Sequence, residues 1–163
     1  MTLARRLSHV TRDGAAKMVD ISKKRPTGRL ARAEATVRVG KEIGRLLART
    51  GSVAKGNVLE TARLAGIMAA KRTHEWIPLC HPIPIDHVDV EADLDGERVR
   101  IEAVVSCRAP TGVEMEAMTA VSAAALTVYD MCKSASKEIT IESIRLLEKR
   151  GGKSGAWKRG ASR

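Results

Sequence analysis

With 163 residues, 44% of them hydrophobic, the chain is long enough for one domain that buries roughly 70% of its unfolded-chain surface, and too apolar for a disordered segment. No apolar run approaches the ~18 residues of a membrane span, and three scattered cysteines (Cys80, Cys107, Cys132) argue against a disulfide framework, so a soluble protein of a reducing, cytoplasmic compartment is expected. The formal net charge of +10 invites a nucleic-acid partner, while 2% aromatic residues leave the core to Ala, Val, Ile, Leu and Met.

Residues 1–30 lack hydrophobic periodicity, carry Gly14, Pro26 and Gly28, and read as a flexible or draped arm. The charge collects at the ends: residues 1–33 hold nine basic and two acidic side chains, residues 145–163 seven and one, and residues 34–144 thirteen against sixteen. Such ends are solvated tails or phosphate contacts. Arg5, Arg6, Ser8 and Arg12 faintly resemble an organelle transit peptide, against which Asp13 and the short length argue. One domain is expected over 31–150. It opens with a half-buried strand, in which Ala33, Ala35, Val37 and Val39 alternate with Arg32, Glu34, Thr36 and Arg38. Gly40 ends it, and residues 41–50 form a short helix stopped by Gly51.

Asn57 with Glu60 reads as a capping box opening a helix to about residue 71, with the stripe Val58, Ala62, Ala65, Ala69. Residues 73–84 contain three prolines and are expected to be neither helix nor central strand. Val88, Val90, Ala92 and Leu94 then alternate with acids up to Asp95-Gly96, a hairpin signal, and Val99, Ile101, Ala103, Val105 and Cys107 return. Thr111 with Glu114 predicts a second capping box and a helix to about residue 134, packed through Ala117, Val121, Ala124, Val128 and Met131. Residues 139–147 are β-rich, and 151–163 read as a glycine- and lysine-rich tail. The order is βαββαβ: an α+β, ferredoxin-like fold, an antiparallel sheet with helices on one face.

That topology also serves RNA-recognition modules, but those stack bases on strand aromatics, and residues 85–94 and 98–108 contain none. Gly152-Lys153-Ser154 resembles the end of a P-loop, yet position 147 is Leu147 and no helix follows, so it is no Walker motif. A glycine-flanked lysine can still reach a phosphate or donate a proton. His74, Cys80, His81 and His87 are poorly spaced for one zinc ion, and no metal site is expected; His81, in a proline-pinned loop, suits hydrogen bonding or acid–base work. Asp130 and Lys133 lie at i, i+3 on an otherwise nearly uncharged helix, which makes them more than an ordinary surface pair.

Several segments together resemble one family: Met18-Val19-Asp20-Ile21-Ser22, Lys55-Gly56-Asn57-Val58, Ala70-Lys71-Arg72-Thr73, Ile77-Pro78-Leu79-Cys80-His81-Pro82, Thr111-Gly112-Val113-Glu114-Met115-Glu116-Ala117, Leu126-Thr127-Val128-Tyr129-Asp130-Met131-Cys132-Lys133 and Gly151-Gly152-Lys153-Ser154-Gly155. They are similar, in matching order over about residues 15–157, to the cyclic pyranopterin monophosphate synthases, accessory protein C of molybdenum cofactor biosynthesis.

The resemblance implies a lyase that rearranges a cyclised guanosine triphosphate, 3′,8-cyclo-7,8-dihydro-GTP, into cyclic pyranopterin monophosphate with loss of pyrophosphate. It implies a hexamer built as a trimer of dimers, with active sites at dimer interfaces. By the same resemblance Asp130, Lys133 and Lys153 are catalytic, and Leu79, Cys80, His81, Met115, Glu116, Lys55 and Lys71 bind substrate. Glu114 caps the helix, binds the guanine-derived ring, or both. No cofactor is expected, with Mg²⁺ beside the triphosphate left open. Families of this type usually carry Asp where this chain has Asn57; either residue caps a helix.

Glu116 and Asp130 are fourteen positions apart on one predicted helix, which places them about 40° apart in direction and about 21 Å apart along the axis. One nucleotide pocket would hardly be contacted by both from a single helix, so each site is expected to combine two chains. A basic nucleic-acid-associated protein and an interaction-only subunit are the alternatives; neither accounts for the specific loops.

Overall fold

The computed structural model describes residues 13–160. The transit-like start and the first part of the arm therefore lie outside the described residues, as do the last three positions of the tail.

The first strand, β1 (Thr27–Arg38), begins inside the segment read as an arm. Its partner explains this: Thr27 pairs with Ala109 and Leu30 with Ser106, so the ladder extends beyond the hydrophobic alternation. Helix α1 (Lys41–Thr50) ends on Gly51 in the left-handed region. A small hairpin follows, β2 (Ser52–Val53) and β3 (Gly56–Asn57). Asn57 caps α2 (Val58–Ala70), its side chain accepting the Glu60 N–H at 3.0 Å. A single helical turn, α3 (Thr73–Trp76), stands where neither helix nor strand was expected. The prolines all follow it, and the Thr73 hydroxyl donates to the Ala70 carbonyl at 3.0 Å, closing the turn against α2.

The hairpin β4 (His87–Asp95) and β5 (Arg98–Ala109) reverses at Gly96, whose φ of 60° suits the first position of a two-residue turn. Helix α4 (Glu114–Cys132) starts without the expected capping box: Val113 is its N-cap, and among the described residues no side chain caps it. Glu114 is drawn instead to Lys149, its carboxylate 3.5 Å from that ammonium. The last long strand is β6 (Thr140–Arg150). The tail beyond is not a loose end: it turns back and pairs as β7 (Trp157–Lys158), with the Arg159 N–H donating to the Leu147 carbonyl at 2.8 Å.

The main sheet has the order β4-β5-β1-β6-β7 with every neighbouring pair antiparallel. Apart from the short β7, this is the ferredoxin-like arrangement expected. One face carries Ala31, Ala33, Ala35, Val37, Ile101 and Val105, buried under α2 and α4. Each such Val or Ile contributes about 1.5–3 kcal/mol relative to exposure. Small residues let α2 sit close: a Cβ on Gly66 would lie 3.0 Å from the Ala120 carbonyl oxygen and 3.2 Å from Val90. The other sheet face is charged, with pairs such as Arg32–Glu102 and Arg98–Glu142 at 2.6 and 2.8 Å. Exposed pairs of this kind add little stability. The layers thus fix α4 across the sheet and leave its two ends accessible.

Candidate active site

At the C-terminal end of α4, Asp130 is held between two ammonium groups. Lys133, one turn on, places its Nζ 2.6 Å from Oδ1, and Lys55, from the β2–β3 turn, places its Nζ 3.0 Å from Oδ2. Lys55 also donates to the Asp130 backbone carbonyl at 2.8 Å, so it satisfies a helix-terminal acceptor as well. Hydrogen bonds first from Lys133 and then from Lys55 hold the Asp130 carboxyl below the usual carboxylate range, and Asp130 in turn pushes Lys133 up. The three side chains are exposed and carry one net positive charge, an arrangement suited to a polyanion. Beside them runs an apolar groove of about 480 Å³ lined by Met68, Trp76 and Leu126.

A second cluster lies at the N-terminal end of the same helix. Leu79, Cys80 and His81 converge with Thr111, Glu114, Met115 and Glu116 on a cavity of about 380 Å³. Glu116 is 4% exposed. Burial, aided by the charge of Glu114, pushes its carboxyl from the ordinary 4.5 up to about 7 against a local backbone hydrogen bond that lowers it, so it can give or take a proton near neutral pH. Burial, with Glu116 nearby, pushes the Cys80 thiol up, consistent with a neutral hydrogen-bonding group. Asp20 is held low chiefly by hydrogen bonds from Ser22, and its neighbours Val19 and Ile21 line the same cavity as His81, which places the N-terminal segment beside this loop.

The predicted residues are therefore split between places. Lys55, Asp130 and Lys133 come together, and so do Leu79, Cys80, His81, Glu114, Met115 and Glu116. Lys71 joins neither group; it lines a separate pocket with Ile83, Asp86 and His87. Lys153 is exposed on the β6–β7 turn. The turn is nevertheless tied to the second cluster, because Gly152 lies against Arg29, which donates to the carbonyls of Ala109 and Pro110. Val19, Ile21 and Lys24 also line the second cavity, a role their local pattern does not signal. The resemblance around Asp20 was the available signal. Among the described residues, no group of three His, Cys, Asp or Glu side chains is arranged to hold a metal ion, and no helix is long and apolar enough to cross a membrane.

The family model described as the MoaC family matches residues 18–152, from the segment that lines the second cavity to the glycines of the turn. The chain belongs to the MoaC family. It is 57% identical over 153 residues to a cyclic pyranopterin monophosphate synthase of Methylobacterium nodulans, covering 93% of this chain and 95% of that one. It is 53% identical over 154 residues to the synthase of Bordetella avium, covering 93% and 94%. It is also 58% identical over 149 residues to molybdenum cofactor biosynthesis protein 1 of Drosophila melanogaster, covering 90% of this chain but 26% of that protein. The two clusters of this family member fall on the segments that carried the resemblance.

Proposed function

We propose that this chain is a cyclic pyranopterin monophosphate synthase, a lyase of molybdenum cofactor biosynthesis that takes 3′,8-cyclo-7,8-dihydro-GTP to cyclic pyranopterin monophosphate and pyrophosphate. The observation that carries the reading, beside family membership, is the combination of an exposed cationic cluster with a buried acid whose carboxyl titrates near 7. Rearranging a purine needs groups that exchange protons at neutral pH, and Glu116 has that property. Closing the cyclic phosphate forms a P–O bond from a substrate hydroxyl as the bond to pyrophosphate breaks. The hydroxyl proton needs an acceptor, and the departing pyrophosphate needs counter-charge, which Lys55, Lys133 and Lys153 supply. Asp130, held ionised between two ammonium groups, is better placed to aim those lysines than to abstract a proton.

The clusters at the two ends of α4 are about 21 Å apart by helix rise, so one substrate reaches both only if two copies contribute. The groove beside Asp130 supports such pairing: Met68, Trp76 and Leu126 are 60%, 53% and 54% exposed, an apolar surface that a second copy would cover. A hexamer of three such dimers, working without a cofactor in the cytoplasm, completes the reading.

Mass-spectrometric detection of cyclic pyranopterin monophosphate after adding the cyclised nucleotide to purified protein tests it. Absence of product, with strong DNA binding lost steeply on adding salt, would favour the nucleic-acid alternative. The shared site is tested by refolding a mixture of Glu116→Ala and Asp130→Asn chains. Mixed dimers carry one intact site, so about one quarter of wild-type activity returns if pairing is random. No recovery with mixed oligomers present would place both residues of each site on one chain.

A further inference from the structure

The turn after β6 depends on glycine. Gly151, Gly152 and Gly155 have φ of 96°, 73° and 64°, and a side chain on Gly152 would collide with the Arg29 guanidinium. The Gly155 N–H donates to the Gly152 carbonyl at 3.1 Å, closing a turn with Lys153 and Ser154 at its centre. An exposed turn of this kind leaves the aim of Lys153 undetermined unless something outside it takes hold.

Lys149 is that something. From the end of β6 its ammonium donates to the Ser154 hydroxyl at 2.6 Å and lies 3.5 Å from the Glu114 carboxylate. Its side chain is 26% exposed, against 44% and 52% for the paired lysines Lys55 and Lys133, so it is the best shielded of the three. A charge pair at 3.5 Å on a surface contributes little by itself. Here the same ammonium also grips the residue that follows Lys153, and its carboxylate partner is two residues from Glu116.

We propose that Lys149 is a positioning residue that fastens the turn carrying Lys153 against Glu114, so that the tail's cation and the acid pair at the start of α4 belong to one site. The proposal rests on the synthase reading for its substrate and not for its geometry.

The test combines two readouts on Lys149→Met, Lys149→Arg and Ser154→Ala. The first is amide hydrogen exchange of residues 150–157 without substrate; the second is kcat and KM with the cyclised nucleotide. In Lys149→Met the turn amides should exchange roughly tenfold faster. Its kcat should fall at least ~10-fold with KM changing less, since small displacements of a reacting group are costly. Melting should stay within about 2 °C, as for a surface substitution. Lys149→Arg keeps the charge and donors and should recover kcat to within about threefold. Adding Ser154→Ala to Lys149→Met should change neither readout further, because both act through one contact. Unchanged exchange together with kcat within about twofold in Lys149→Met would overturn the proposal. So would a loss that Arg does not restore and that tracks a lowered melting temperature. If the wild-type protein does not turn over the nucleotide, the synthase reading fails, and the exchange comparison alone decides the tether.

Discussion

Replacing Glu116 by Gln should stabilise the protein at alkaline pH. The Glu116 carboxyl is buried beside Glu114 and raised from the ordinary 4.5 up to about 7. Below about pH 4.5 the folded and unfolded chains both hold its proton, and the residue contributes no pH dependence. Between about 4.5 and 7 the unfolded chain releases the proton while the folded one keeps it, so folding stability falls as pH rises. Above about 7 the folded chain bears an ionised, desolvated carboxylate, and the cost levels off at about 3 kcal/mol, because each tenfold change in proton affinity is worth about 1.4 kcal/mol. Gln has nearly the same shape and no charge to desolvate. The variant should therefore match wild type near pH 4 and exceed it by about 3 kcal/mol near pH 8.5. Urea unfolding followed by far-UV circular dichroism, at equal protein concentration in both buffers, measures the difference directly. A difference that does not change with pH, or that favours wild type at about pH 8.5, would refute the assignment of a raised carboxyl to Glu116. The same substitution should cut kcat sharply if this carboxyl moves a proton in the reaction, because an amide can neither give nor take one.

Asp130→Asn should retain binding of the cyclised nucleotide in calorimetry while losing turnover, because Lys55 and Lys133 keep their charge and lose only their common anchor; collapse of affinity would mean that the carboxylate organises the pocket itself. His81→Ala should weaken both KM and kcat, since the proline-flanked loop presents this ring to the cavity, and unchanged constants would remove it from the site. Gly66→Ala should cost about 1–3 kcal/mol in urea unfolding, because its new Cβ forces α2 off the Ala120 carbonyl and Val90; a neutral result would show that the helix pair has slack.

How much of this was legible in the sequence depends on range. Helix α1 was readable to its ends because Gly51 is a chemically local stop, and α2 because Asn57 caps through a bond only three residues long. The buried stripe of α4 was equally plain, and its length foretold that Glu116 and Asp130 could not meet within one chain. The capping box at Thr111 misled because it assumed that Glu114 has only local partners, whereas Lys149 competes for it from a strand far along the chain. Strand β7 was hidden for a similar reason: its two residues have no periodicity, and they exist as a strand only through pairing with Glu148 and Lys149. The start of β1 at Thr27 was set by the length of β5. Residues whose roles rest on such distant partners, Arg29 and Lys149 among them, give no signal in local pattern.

The scarcity of aromatic residues has a spectroscopic consequence. The two tryptophans and one tyrosine are all outside the fully buried core: Trp76 and Trp157 are exposed and Tyr129 is half-buried. Tryptophan fluorescence is therefore nearly blind to the packing of sheet against helices. Trp76 lines the groove beside Asp130, and Trp157 faces Lys149 across the β6–β7 ladder. The protein thus carries two built-in optical reporters, one at the groove and one at the tail. A Trp76→Phe variant would leave tryptophan emission that follows the tail alone, and a Trp157→Phe variant tryptophan emission that follows the groove.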